Sequence, residues 1–257
     1  MSSLVAVTRA VSPQMAACQL THVPRVPIDI DLAVKQHAAY ERTLERLGCK
    51  IHRLSAGADM PDSVFIEDTA VVLDEISIIM RPGAASRQEE TAAVEEWLKH
   101  RILIARIEPP ATMDGGDVMV VGRSIFVGAS SRTNRAGLDQ FRTIVEHFGY
   151  TMAVVEVHGC LHLKSAVSVA GEDTLLINPR WVPPDRFGAY KLVTVHPEEP
   201  RAANVVCVRD DLVYSDGYPR TLERLVDASA RVTTVDVSEL AKAEGAVTCC
   251  SLIMYGS

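Results

Sequence analysis

A single α/β domain spanning residues 1–257, a five-bladed ring of ββαβ units about a pseudo-fivefold axis, is the fold class this sequence predicts. Two observations carry it. A unit of two short apolar strands, an amphipathic helix and a further strand occurs four times along the chain. The two ends of the chain supply the pieces of a fifth. A third observation agrees: apolar residues make up 47% but aromatics only 5%, so Val, Ala, Leu and Ile carry the core, as in a strand-rich α/β protein.

Taken in order, the first unit reads as strands 70–73 and 76–80, a helix over 87–99 and a strand over 102–107. The second reads as strands 118–121 and 124–127, a helix over 134–148 and a strand over 152–157. In the third, strands 166–170 and 174–177 precede a short helical piece over 185–190 and a strand over 192–196. The fourth has strands 204–208 and 212–214, a helix over 219–228 and a strand over 232–237. The fifth closes when 247–255 pairs with 4–8, followed by a helix over 31–47 and a strand over 50–54. Helix positions follow the spacing of Leu32, Ala39, Leu44 and Leu47 and cap-like starts at Asp31 and Thr133-Asn134. The copies share few identities, so the repeat is one of structure. Closure would bring Asp68, Asp114, His162 and Cys249 together, because each stands at the first strand of its unit or the turn before it.

Composition narrows the function. A net charge of −7 leaves no basic stripe for nucleic acid. The six cysteines show neither a disulfide framework nor CxxC knuckles. Leu4-Val5-Ala6-Val7 is too short for a signal segment, and no apolar run approaches a membrane span. A reducing cytoplasm is the expected location, with no nucleic-acid or membrane partner. Phosphate-loop and GxSxG motifs are absent from the sequence.

A nucleophilic hydrolase needs a thiol, an imidazole and a carboxylate to orient it. Cys249-Cys250 lies in the apolar segment Val247–Met254, read as a strand, where neighbours face opposite sides and only one can line the axis. The pattern leaves open which one, and either alone reads as a packed structural thiol. His162 lies in Leu161-His162-Leu163-Lys164-Ser165, where an isolated histidine is ordinarily a core or edge residue and otherwise a general acid/base. Asp114-Gly115-Gly116-Asp117 is either a tight turn with solvated aspartates or a frame from which Asp114 accepts the His162 N–H.

His158, Cys160 and His162 would share a strand face, but zinc would want a fourth ligand at short spacing and none follows. Asp62-Ser63-Val64-Phe65-Ile66-Glu67-Asp68, read as extended, would place residues 62, 64, 66 and 68 on one face. Paired carboxylates there suit a planar guanidinium. Arg87 and Arg132 each stand at a helix start, where the dipole disfavours a cation unless an anion is bound, so both are candidates for a carboxylate clamp.

Six segments in order, namely Pro61–Asp68, Arg81-Pro82-Gly83-Ala84, Asp114–Val118, Ser131-Arg132-Thr133-Asn134, Leu161–Ser165 and Thr248–Ser251, strongly resemble the dimethylarginine dimethylaminohydrolases. These form a branch of the guanidino-group modifying enzymes, and the resemblance spans essentially the whole chain. It implies the pentein fold, and it implies that Cys249 rather than Cys250 is the nucleophile, with His162 as acid/base and Asp114 as its orienting carboxylate. Asp62, Glu67 and Asp68 resemble the acidic group around the guanidinium. Arg87 and Arg132 match the carboxylate-binding positions, Leu20 the lid-loop leucine, and the backbone near Ala243 would meet the α-amino end.

The implied activity is hydrolysis of Nω,Nω-dimethyl-L-arginine or Nω-monomethyl-L-arginine to L-citrulline plus an amine, through an S-alkylthiouronium on Cys249. No cofactor is implied, zinc at the thiol would inhibit, and a homodimer is the assembly considered. Many bacterial members carry Glu at the position of Asp114, and the loop 16–29 carries an insertion with Pro24 and Pro27. Arginine deiminases have H-x-D where this chain has His162-Leu163-Lys164, which favours the methylarginine hydrolase. The alternatives are a hydrolase, deiminase or amidinotransferase for another guanidino compound, and a non-catalytic binding protein of the same fold.

Overall fold

Five three-stranded sheets, each with two antiparallel strands and one parallel strand, make up the fold in the computed structural model, which describes residues 4–228 and 230–256. The terminal blade supplies β1 (Leu4–Arg9), helix α1 (Ile30–Arg46) and β2 (Cys49–Leu54). The first blade has β3 (Ala70–Val72), β4 (Ile76–Ile79), α2 (Thr91–Leu98) and β5 (Leu103–Arg106). The second has β6 (Val118–Val121), β7 (Ser124–Ala129), α3 (Arg135–His147) and β8 (Thr151–Glu156). The third opens on a one-turn helix α4 (Leu163–Ala166), followed by β9 (Val167–Val169), β10 (Thr174–Ile177) and β11 (Lys191–Thr194). The fourth has β12 (Val205–Val208), β13 (Asp211–Ser215), α5 (Pro219–Asp227) and β14 (Arg231–Val235). A short α6 (Ser238–Lys242) leads to β15 (Leu252–Tyr255).

Ring closure is made by the chain ends. β15 pairs antiparallel with β1 (Val7 opposite Leu252), and β1 pairs parallel with β2 (Ala6 opposite Ile51). The fifth unit is thus completed as the sequence predicts.

Each blade is apolar on both faces because each face packs on a neighbouring blade. On β7, Ile125 and Val127 join the seam with the first blade, and Phe126 joins the seam with the third. On β10, Leu175 and Ile177 face the second blade and Leu176 faces the fourth. Val7, Ile66, Ile79 and Leu252 seal the terminal blade to the first. Leu4, Ala6, Val206 and Val213 seal it to the fourth. Five buried seams take the place of one central core, and the axis is left for polar side chains.

Local differences from the expected elements have local causes. Helix α1 is capped by Asp29, whose carboxylate accepts from Leu32 N, two residues ahead of the cap-like Asp31. Asn134 caps α3 as expected. The third-blade helix is a single 3-10 turn, Pro184–Phe187, entered through a proline at its first position.

Candidate active site

Four of the five blades place a short helical turn immediately before their inner strand: Ile66–Thr69, Gly115–Asp117, Leu163–Ala166 and Thr248–Cys250. The fourth blade has none, and enters β12 through Asn204. These turns correct three sequence expectations. Cys249 and Cys250 lie on a 3-10 turn that ends before β15 begins, so strand alternation does not separate them. Residues 62–68 turn rather than extend. β8 ends at Glu156, so His158, Cys160 and His162 lie on an irregular loop, with the His158 side chain exposed. Three- and four-residue turns show neither a 3.6 nor a 2.0 period, which is why apolar runs through them read as strand.

Along the axis, a cavity of about 20 Å³ is lined by Asp62, Asp68, Arg87, Arg132, His162 and Cys249, together with Gln19, Phe65, Leu161 and the segment Ala243–Gly245. His162 Nε2 lies 3.0 Å from Asp114 Oδ2, and His162 Nδ1 lies 3.8 Å from Asp68 Oδ1. Asp114 also accepts from Gly83 N at 2.7 Å and Asp68 from Gly116 N at 2.9 Å. The close fit explains the double glycine. A Cβ on Gly116 would stand 2.6 Å from both Asp68 Oδ1 and His162 Nδ1, and one on Gly115 would stand 2.1 Å from the Glu67 carbonyl.

Charge sets the protonation states. Burial alone would lower the His162 value, but Asp68, Asp114 and Asp117 around it raise it to about 9, so the ring is an imidazolium at neutral pH. Asp68 faces that imidazolium and Arg87 and is held down to about 2. Cys249 is pushed up to about 12 by burial and by Glu67 and Asp68, so the resting sulfur is a neutral thiol.

The two arginines divide in role. Arg87 is buried and makes hydrogen bonds with Asp68 (2.6 Å), both Glu90 oxygens and the Phe65 carbonyl, leaving one Nη1 N–H without a protein acceptor. Protein carboxylates therefore answer its charge, where a bound anion had been expected to do so. Arg132 is different: its Nη1 is buried without a hydrogen-bond partner, 3.8 Å from Asp114 Oδ2. It is the guanidinium that has donors to spare for a carboxylate.

Two expected residues lie outside this cavity. Glu67 turns to the opposite end of the axis, where it pairs with Lys164 at 2.6 Å and accepts from Thr248 Oγ1 at 2.8 Å beside a separate groove. Leu20 packs half-buried on the apolar cluster that includes Phe65, Ala243 and Val247, and Gln19 lines the cavity in its place. Asp62 accepts from Gln19 N at 3.1 and 3.2 Å. The sequence reading missed Asp117, which receives Leu163 N, Ser130 Oγ and Thr133 Oγ1 and so fixes the turn after His162. Its signal was the second aspartate of the DGGD run. Glu90 was missed as well, and a carboxylate three residues after Arg87 was its signal.

Among the described residues, Asp68, Asp114 and His162 are the one His/Cys/Asp/Glu group whose candidate ligand atoms lie within 4.8 Å of one another. No helix among them is long and apolar enough to cross a membrane.

A thiol, an imidazolium fixed by a carboxylate and buried acids beside a spare guanidinium define a cysteine hydrolase site of the guanidino-modifying kind. A family profile described as N,N dimethylarginine dimethylhydrolase, eukaryotic, matches residues 23–186. An N(G),N(G)-dimethylarginine dimethylaminohydrolase of Streptomyces coelicolor is 38% identical over 254 residues, covering 98% of this chain and 97% of that one. The Pseudomonas aeruginosa protein of the same name is 37% identical over 226 residues, covering 87% and 89%. The crystal structure of a cysteine-to-serine mutant of the Pseudomonas aeruginosa enzyme complexed with citrulline superposes with a TM-score of 0.94 at 33% identity, covering 99% of this chain and all of that one. The chain belongs to the dimethylarginine dimethylaminohydrolase family.

Proposed function

We propose that this protein hydrolyses Nω,Nω-dimethyl-L-arginine and Nω-monomethyl-L-arginine to L-citrulline, releasing dimethylamine or methylamine. The observation that carries the reading is the pairing of a neutral Cys249 thiol with a His162 imidazolium in one carboxylate-lined cavity. A cationic guanidinium seated against Asp68 and Asp62 brings positive charge beside the sulfur. That charge favours the thiolate, whose proton leaves to solvent. The Cys249 sulfur then bonds to the guanidinium carbon as the bond to the methylated nitrogen breaks, and the His162 imidazolium gives that nitrogen its proton. The S-alkylthiouronium left on Cys249 is opened by a water that the now neutral His162 deprotonates. Collapse yields the ureido group of citrulline and frees the sulfur.

Asp114 holds the ring through Nε2, Arg132 takes the α-carboxylate with the spare N–H of Arg87, and the Ala243 backbone meets the α-ammonium. Glu67 supports the cavity floor from the far side, and Leu20 belongs to the covering loop.

The reading needs no metal or other cofactor. Asp68 is spent on Arg87 and Gly116 N, Asp114 on Gly83 N and His162, and an imidazolium has no lone pair to give. Zinc would compete for the Cys249 sulfur and inhibit. A cytoplasmic location fits a thiol that must stay reduced.

The test is citrulline release from dimethylarginine, monomethylarginine and arginine, with chelator present and with the Cys249→Ser variant alongside. Release from the methylated substrates that survives chelation and disappears in the variant is expected. Release only from arginine would favour a deiminase.

A further inference from the structure

We infer that Glu244 is the latch of the loop that covers the cavity, a positioning residue which sets how readily substrate is enclosed; the catalytic half of this inference rests on the function proposed above. Three independent features meet at Glu244. It follows Ala243, the cap residue of α6, with φ of +63°, and the turn closes through Gly245 N to the Leu240 carbonyl (3.0 Å) and Glu244 N to the Ala241 carbonyl (3.1 Å). Glycine is the usual occupant of that left-handed position, because a side chain there is strained. Here the side chain is kept and both its oxygens are used. Oε2 accepts from Thr21 N and Oε1 from His22 N, each at 2.7 Å. The latch cannot move one residue along, since a Cβ on Gly245 would stand 2.1 Å from the Phe65 ring.

The loop it holds has no regular structure between residues 18 and 29, and most of it is exposed. Charged groups replace a ladder. Gln19 N ends on Asp62, and Arg201 Nη2 donates to the His22 carbonyl at 3.0 Å. Leu20 is thereby pinned between an anchor in the cavity and the Glu244 carboxylate. The cavity beneath, at about 20 Å³, is the size of a single water and too small for an amino acid, whereas small-ligand sites run to several hundred Å³. The loop must lift for substrate to enter, and lifting breaks the two Glu244 bonds. Glu244 also adjoins Ala243, so the group that releases the loop sits next to the backbone that meets the substrate's ammonium end.

The experiment is amide hydrogen exchange on the free protein, followed by steady-state kinetics, for wild type, Glu244→Gly and Glu244→Gln. Glycine removes the latch and relieves the backbone, so the melting temperature should hold or rise. Exchange at Thr21 and His22 should speed by about tenfold while β1 is unchanged. KM for dimethylarginine should rise by about tenfold, more than kcat falls. Glutamine offers one acceptor to two donors and should fall between.

Unchanged exchange at Thr21 and His22 in Glu244→Gly would overturn the latch. Faster exchange with an unchanged KM would overturn its positioning role. Faster exchange throughout, with a lower melting temperature, would make Glu244 a folding residue only. Wild type without activity on any methylarginine would sink the proposed function, and the exchange result would still decide the latch.

Discussion

Glu67 and Asp68 are consecutive on one turn and both are buried, yet they face opposite ends of the ring axis and their protonation shifts run in opposite directions. Asp68 meets the His162 imidazolium, Arg87 and a backbone N–H and is held down to about 2. Glu67 meets one ammonium and one hydroxyl, and there burial wins and pushes its value up. Burial alone therefore does not set the direction for this pair: the two cations facing Asp68 outweigh it, and the single ammonium facing Glu67 does not. The division repeats on neighbouring turns. His162 and Cys249 face the covered cavity, whereas Lys164 and Thr248, two residues and one residue away, face the groove of about 460 Å³ at the other end. One end holds the chemistry, and the other holds the ring together.

Paired substitutions on single turns break this comparison most sharply. Cys249→Ser should lower citrulline release by at least about 10³-fold, with little change in melting temperature. Thr248→Val, one residue earlier, should retain turnover and lose about 1–3 kcal/mol of stability in urea, because Glu67 Oε2 and the Asn204 amide lose a partner. Thr248→Val as inactive as Cys249→Ser would erase the division.

Next in size is Lys164→Met. It leaves Glu67 with a buried charge and no cation, at a cost of about 3–5 kcal/mol read from denaturant midpoints. The counterpart on the covered side is Arg132→Ala. It should raise KM for dimethylarginine by roughly 10- to 100-fold, an effect of about 1.4–3 kcal/mol on substrate binding, with stability nearly unchanged. Its guanidinium has a buried donor without a partner, so the folded protein loses little and the substrate loses a charge-assisted bond. A stability loss larger than the KM effect would place Arg132 with the structural end.

How much of this was legible in the sequence follows the same division. The blades could be read because strand pairs such as 118–121 with 124–127 and helices such as 134–148 are long enough to show their periods, and the structure returns them within a residue or two. The covered end was legible as residue types: Cys249, His162, Asp114, Asp62, Asp68 and Arg132 all converge there. What could not be read was direction. A turn of three or four residues sends neighbours to opposite ends of an axis, and neither the acidic run at Glu67-Asp68 nor the apolar run around Cys249-Cys250 carries a period that shows it. Partners supplied from far along the chain were also invisible, as with Glu244 and residues 21–22 or Asp117 and Ser130.

The smallest expected effect sharpens the comparison through pH. His162 is raised to about 9 by carboxylates of the covered end. Its charged form therefore favours the fold fully below the ordinary imidazole value near 6.5, and that contribution is lost as pH rises through about 9. Asp68 has the opposite sign: depressed to about 2, it contributes above the ordinary aspartate value near 3.9 and is lost only as pH falls through about 2. Once bound substrate has drawn off the Cys249 proton, the proposed chemistry needs the imidazolium to protonate the departing amine, so kcat at saturating substrate should fall by about twofold between pH 8 and pH 9 and approach tenfold per unit above that. Asp114→Asn should move this descending limb toward lower pH, since it removes a carboxylate from the ring. Lys164→Met removes the partner of Glu67 and acts on the Cys249 thiol rather than on the His162 ring, so it should leave the limb in place, measured where the variant stays folded. A limb that moves with Lys164 and not with Asp114 would mean that the two ends titrate as one network.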